Sequence, residues 1–145
     1  MRTFDVNSKK DIQELFLDCK KALDTSYSPY SQNRVGACII SATGAKYYGS
    51  NIENASYGLT MCAERTAMFN ARINNVKKED QLVIGIAADF NSYAWPCGAC
   101  RQVMVELLPL ECHIVIFNKE GEYKIWQVKD CMPGIFSSSD LKEKN

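Results

Sequence analysis

Two short stretches of this sequence carry residues able to hold and use a metal ion. Cys62-Ala63-Glu64 and Pro96-Cys97-Gly98-Ala99-Cys100 each open a segment with helical periodicity. Cysteines three residues apart on a first helical turn lie on one face, so Cys97 and Cys100 can converge on one ion. Cys62 can supply a third sulfur from the other helix. Both helix N-termini would then aim free N–H groups and positive dipole ends at the thiolates, favouring the ionised form that zinc requires. Three sulfurs leave one tetrahedral position open, which separates a catalytic zinc from a structural one.

An open zinc lowers the pKa of a bound water from about 15.7 to about 7. The resulting chemistry needs a proton shuttle, and Glu64 stands two residues from a ligand at the same helix start. An acid in a first turn also interacts favourably with the helix dipole. That accounts for a Glu in the turn but not for its pairing with a cysteine ligand. Arg65 follows directly. Three thiolates on Zn²⁺ carry net negative charge, which a guanidinium donating to sulfur would partly withdraw; an exposed helix arginine is the alternative. Cys97-x-x-Cys100 alone also fits a redox pair or half of a four-cysteine structural site. A redox pair has no need of Cys62-x-Glu64, and the other cysteines lie singly, so the open zinc site is favoured. His113, the one histidine, falls inside a predicted strand and reads as a strand residue rather than a ligand.

The elements that must position these groups follow from periodicity. Lys9 to Leu23 carries Ile12, Leu15, Phe16, Cys19, Ala22 and Leu23 at helical spacing, with Ser8 placed to cap it. SYSPYSQN after it is a loop. Val35 to Ser41 and Lys46 to Ile52 read as a hairpin about Thr43-Gly44. Cys62 to Ile73 is helical, and Leu82 to Ala88 is a continuous apolar run, as for a buried central strand. Gly98 to Leu108 is helical and is stopped by Pro109. His113 to Phe117 and Glu122 to Val128 are strands whose short connection, Lys119-Glu120-Gly121, requires an antiparallel pair. The order α-β-β-α-β-α-β-β predicts an α/β domain with a five-stranded mixed sheet covered by helices. No repeat or linker divides the chain. It reads as one domain over residues 1–145, with a core from about 8 to 136 and a polar, loosely held tail from Ser137 to Asn145.

Composition narrows the function classes. The 145 residues are 46% hydrophobic and 23% charged, as in ordinary globular proteins, and such a chain buries roughly 70% of its unfolded surface. Lys+Arg and Asp+Glu each count 17, and the signs interleave, as in KKED at 77–80. A nucleic-acid or anionic-membrane partner normally leaves a basic stripe, and none is visible. The seven cysteines are odd in number, and MRTFDVNSKKDIQELF has no apolar run of a secretory signal. No stretch approaches the roughly 20 apolar residues of a membrane span. The expectation is a reducing, cytoplasmic setting in which grouped cysteines serve metal or catalysis. Cys19, Cys38, Cys112 and Cys131, each alone in apolar surroundings, are expected in the core.

Taken together, Cys62-Ala63-Glu64-Arg65-Thr66-Ala67 and Pro96-Cys97-Gly98-Ala99-Cys100-Arg101-Gln102 resemble the zinc nucleoside deaminases, specifically the small homotetrameric cytidine deaminases. The general deaminase signature is three zinc ligands with a Glu that is not a ligand. The resemblance spans about Ser26 to Phe136 and includes Asn51-Ile52-Glu53-Asn54-Ala55-Ser56-Tyr57-Gly58, similar to the family's nucleoside-binding segment. It implies a three-layer fold with helices on both faces of the sheet. It implies one Zn²⁺ per subunit on Cys62, Cys97 and Cys100, Glu64 as the acid–base residue, and Arg65 and Gln102 among the groups around the ligands. Asn51 and Glu53 would hydrogen-bond the ribose hydroxyls, Ala55 and the backbone of Ala63 would contact the base, and Tyr57 would lie near a subunit boundary. Met132-Pro133-Gly134-Ile135-Phe136 resembles the family's C-terminal Leu-Pro-x-x-Phe, in which the aromatic closes a neighbouring subunit's site. By itself Phe136 could equally anchor the tail.

The implied reaction is hydrolytic deamination of cytidine and deoxycytidine to the uridines with release of ammonia, a step of pyrimidine salvage. The implied assembly is a homotetramer of D2 symmetry, with no nucleic-acid or membrane partner. One position departs from the family: Asn33 stands where a phenylalanine usually packs against the nucleoside. Losing such a contact weakens binding by about 1–3 kcal/mol, unless Asn33 serves a substrate with an extra polar group. A deaminase of a cytosine antibiotic such as blasticidin S and a non-catalytic zinc-stabilised interaction module are the competing readings. A nucleic-acid-editing deaminase, usually with histidine as first ligand and a basic surface, is a third.

Overall fold

Ser8 accepts a hydrogen bond from the Asp11 N–H at 3.2 Å and starts the first helix, α1 (Lys9–Leu23). In the computed structural model, which describes residues 1–142, there follow β1 (Val35–Ser41), β2 (Lys46–Ser50), α2 (Ala63–Ile73) and β3 (Gln81–Ala88). Then come α3 (Gly98–Leu107), β4 (His113–Phe117), β5 (Tyr123–Gln127) and α4 (Ser138–Lys142). The strands form one five-stranded sheet in the order β2-β1-β3-β4-β5. β3 and β4 are parallel, and the other neighbours are antiparallel, including the final β4–β5 pair.

Alternation along the strands builds three layers. Cys38, Ile40, Val83, Ala87, Val115 and Phe117 meet Ile12, Leu15 and Cys19 of α1 on one face. Ala37, Ile39, Ile84, Ile86, Ile114 and Ile116 meet α2 and α3 on the other, through Ala67, Met68, Ala71 and Met104, with Leu108 just past the end of α3. Cys19, Cys38, Cys112 and Cys131 are buried and free, as expected of small core residues. Two glycines allow helix backbone to touch the sheet. A Cβ at Gly36 would collide with the Cys19 carbonyl and the Leu23 N–H of α1, and one at Gly49 would collide with the Ala67 N–H of α2. Where β1 begins beside the end of β3, the two strands are clasped by Arg34, whose backbone N–H and Nε each donate to Asp89 at 2.9 Å.

Some boundaries differ from the periodicity reading. β2 ends at Ser50, because Ile52 leaves β1 to make bridges with Tyr27 and Met61. Short 3₁₀ turns occur at Tyr57–Leu59, Lys78–Asp80 and Val128–Asp130, too short to show a period. The tail, expected to be loosely held, forms α4 over Ser138–Lys142. The Ser137 N–H donates to Asp140 Oδ2 at 2.8 Å, which caps its first turn. The rest of the tail expectation, residues 143–145, lies outside the described residues.

Candidate active site

The metal motifs meet because two helices begin side by side at the carboxyl end of β3. Cys62 is the residue before α2, in extended conformation at φ −74° and ψ 154°. Cys97 holds the same place before α3 at φ −70° and ψ 168°, and its sulfur accepts from the Cys100 N–H at 3.5 Å. The Cys62 and Cys97 sulfurs are 3.8 Å apart, those of Cys97 and Cys100 3.5 Å, and all three lie within 4.8 Å of one another. Tetrahedral zinc with ligands near 2.3 Å requires sulfur separations of about 3.8 Å, so this donor set fits that ion. Among the described residues no other His, Cys, Asp or Glu joins the cluster. His113 begins β4 and is not part of it.

Electrostatics within the cluster favour a thiolate at Cys62. Its pKa is pulled down to about 5, first by the hydrogen bond with Cys100 and, against the effect of burial, by Arg65 and Cys97. Cys100 is pushed upward, chiefly by the same bond with Cys62 and by burial. Arg65 Nη2 donates to the Cys62 sulfur at 3.3 Å, so the arginine does reach the ligand set. Glu64 is 4% exposed. Burial pushes its carboxyl up to about 7, opposed by a hydrogen bond from its own N–H and aided by the nearby charge of Cys62. A carboxyl held near neutrality can both accept and release a proton at working pH.

A pocket of about 190 Å³ opens onto these groups, with Cys62, Ala63, Glu64 and Cys97 in its wall. The other lining groups are mostly apolar, among them Val35, Ile86, Phe90 and Trp95. Asn51 also lines it, yet both ends of its amide are engaged within the chain. Nδ2 donates to the Asn33 carbonyl at 2.8 Å, and Oδ1 accepts from the Val35 N–H at 2.9 Å and from Ser26. Glu53 lies in an adjoining pocket with Tyr30, Ser31 and Tyr57, and Thr60 lines both. The Glu53 carboxylate accepts from the N–H groups of Tyr30 and Ser31 and from the Ser31 hydroxyl, and that hydroxyl bond above all holds it below its usual pKa.

The remaining expected residues scatter. Ala55 and Asn33 are exposed and line neither pocket, and Asn33 acts through its backbone, its carbonyl accepting from Asn51 and its N–H donating to the Ser31 hydroxyl. Tyr57 is 75% exposed, with its ring 6.0 Å from that of Tyr30. Phe136 is 56% exposed and away from the pocket. Gln102, expected around the ligands, donates instead to the Phe136 carbonyl at 2.9 Å. It stands two residues beyond Cys100, and helix positions i and i+2 do not share a face. Phe90, Trp95, Thr60 and Met61 line the pocket without having been singled out; Met61, next to Cys62, and Trp95, next to Pro96-Cys97, carried a signal by their place beside the motifs.

Comparison with known proteins agrees with this geometry. Residues 9–116 match the family model for the cytidine and deoxycytidylate deaminase zinc-binding region. The chain is 41% identical over 133 residues to a cytidine deaminase of Halalkalibacterium halodurans, covering 92% of this chain and 99% of that protein. It is 39% identical over 131 residues to one of Sporosarcina psychrophila, covering 90% and 95%. The crystal structure of a cytidine deaminase from Burkholderia pseudomallei superposes with a TM-score of 0.82 at 37% identity, covering 86% of this chain and 98% of that one.

Proposed function

The chain belongs to the cytidine and deoxycytidylate deaminase family, and from that premise we propose how its own residues carry out the hydrolytic deamination of cytidine to uridine and ammonia. The observation that carries the reading is the trio of cysteine sulfurs within 4.8 Å of one another beside the buried carboxyl of Glu64. Cys62, Cys97 and Cys100 hold Zn²⁺, which when bound lowers the pKa of water and so supplies a nucleophile near neutral pH. Glu64 takes a proton from the attacking water and delivers it to N3 of the ring as C4 gains oxygen. It then takes the remaining proton from the new C4 hydroxyl and passes it to the departing amino group as the C4–N bond breaks, so that cytidine and water yield uridine and ammonia. Arg65 draws charge from the Cys62 sulfur. Asn51, through its second Nδ2 hydrogen, and Glu53 in the adjoining pocket bind the ribose, and Ala63 contacts the base. Deoxycytidine is accepted by the same groups, and the reaction serves pyrimidine salvage.

The assembly we propose is a homotetramer of single-domain subunits. Tyr27, Tyr30, Tyr57, Leu59 and Phe136 are each about half exposed or more, large apolar groups that burial against further copies would cover. Light scattering that found an active monomer of 16.3 kDa would overturn this. The seven cysteines are free, which supports a reducing, cytoplasmic compartment. No helix among the described residues is long and apolar enough to cross a membrane.

The deciding experiment is a deamination assay on a panel of cytosine nucleosides, run with metal analysis of the same preparation. Uridine formation with about one zinc per chain is the expected result. A zinc-loaded protein inert on every cytosine nucleoside would refute the catalytic reading.

A further inference from the structure

We propose that Trp95 is the wall against which the pyrimidine ring packs, and so a specificity-determining residue for a flat aromatic base. This rests on the deaminase reading and adds to it the residue that grips the ring. Trp95 lies two residues before Cys97 and lines the same pocket as Cys62 and Glu64, yet 47% of it is exposed. Large aromatic side chains left open beside polar catalytic groups are the surfaces on which planar ligands stack.

The ring is already fixed before any ligand arrives. Trp95 stacks on Trp126 at 5.1 Å between centroids and 30° between planes, and packs against Tyr93 at 5.7 Å. The Trp95 backbone N–H donates to the Tyr93 carbonyl at 2.9 Å. Arg101 secures both ends of this arrangement. Its guanidinium lies 4.9 Å from the Trp126 ring, and its Nε donates to the Pro96 carbonyl at 2.9 Å. Its Nη1 donates to the Cys131 carbonyl at 3.1 Å. The arginine therefore holds the residue joining Trp95 to Cys97 and also the ring that backs Trp95. Trp126 and Arg101 are positioning residues. An indole held in place loses little entropy when a base stacks on it, so its contact area goes into affinity. The contact is apolar and carries none of the protons being moved, so it governs KM rather than kcat.

The two tryptophans of the chain are both in this stack, so intrinsic fluorescence reads the pocket wall. Uridine is titrated into zinc-loaded wild type, Trp95→Phe and Trp126→Phe, and cytidine kinetics are measured on the same samples with Trp95→Ala and Trp95→Leu added. The emission change should persist in Trp126→Phe and largely vanish in Trp95→Phe. Trp95→Ala should raise KM roughly tenfold with kcat within about twofold, and Trp95→Phe should recover most of the loss. Trp95→Leu, which keeps apolar bulk without a π face, should raise KM as well and stands in if the alanine variant does not fold. Folded, zinc-loaded Trp95→Ala or Trp95→Leu with wild-type KM and wild-type uridine affinity would overturn the assignment, as would a loss confined to kcat. A wild type that does not convert cytidine would refute the deaminase reading instead, and the uridine titration would still test Trp95.

Discussion

Arg65 and Cys62 stand three residues apart at the start of α2, and the arginine Nη2 donates to the cysteine sulfur across 3.3 Å. The helix end and the guanidinium thus place positive charge on one ligand, where three thiolates would otherwise leave the ion electron-rich. The fold achieves this within one helical turn, so the contact survives any rearrangement that leaves α2 intact.

Replacing Arg65 with alanine should weaken zinc retention by roughly 10–100-fold. The sign with pH follows from Cys62, whose pKa is held down at about 5 by the bond with Cys100 and by Arg65. The lower the thiol pKa, the further the pH must fall before protons displace the metal from this sulfur. Removing the guanidinium raises the thiol pKa, so zinc release on acidification should begin at a higher pH in the variant. A chromogenic chelator followed across pH measures it; coincident release curves would mean that Arg65 does not tune the ligand.

Glu64→Gln should keep its zinc and lose turnover by about 10³-fold or more, because one carboxyl both takes and returns the proton. Metal analysis beside steady-state kinetics checks both halves. Substantial remaining activity would assign the proton transfers to another group.

Gly49→Ala should destabilise the fold by roughly 1–3 kcal/mol or more. The new Cβ would run into the Ala67 N–H, the Ala63 carbonyl and the Thr66 hydroxyl of α2. Since α2 carries Cys62 and Glu64 at its start, zinc affinity should fall together with the thermal midpoint. A variant as stable as wild type would show that α2 can retreat from β2 without cost.

Asp89→Asn tests the clasp between β1 and β3. Burial alone would raise the Asp89 pKa, but hydrogen bonds from the Arg34 side chain and backbone outweigh it and the carboxyl is held low. A depressed carboxyl contributes stability fully above its unfolded pKa of about 3.9, and that contribution disappears as pH falls through the lower folded value. The midpoint difference between wild type and variant should therefore be constant from neutral pH to about 4–5 and shrink below that. Arg34 is half exposed, so the effect should be under about 1 kcal/mol. A difference that grew on acidification would contradict the ion pair.

Much of the fold was legible from local spacing. α1, β1 and β4 fall on the residues their periodicity marks, and Ser8, Pro109 and the glycine turns at Gly44 and Gly121 delimit their neighbours as backbone chemistry requires. Turns of three residues and the end of β2 were not legible, since too few residues lie in them to establish a period.

The metal trio and its carboxyl were readable because each of the four residues sits within one helical turn of another, and for Cys97 and Cys100 chain geometry alone puts both side chains on one face. The sequence by itself determined that two helices would each begin with sulfur, and that Glu64 and Arg65 would accompany one of them. Only the tertiary structure brought Cys62 to Cys97 across 35 residues, because that approach depends on β1 entering the sheet between β2 and β3 and on α2 and α3 packing against one face of it. The same packing engaged Asn51 with Asn33 and Val35, turned Gln102 toward the tail and set Trp95 against Trp126. Neighbours along the chain are governed by dihedral periodicity, whereas neighbours across layers are governed by which apolar faces bury one another, and no single segment encodes that.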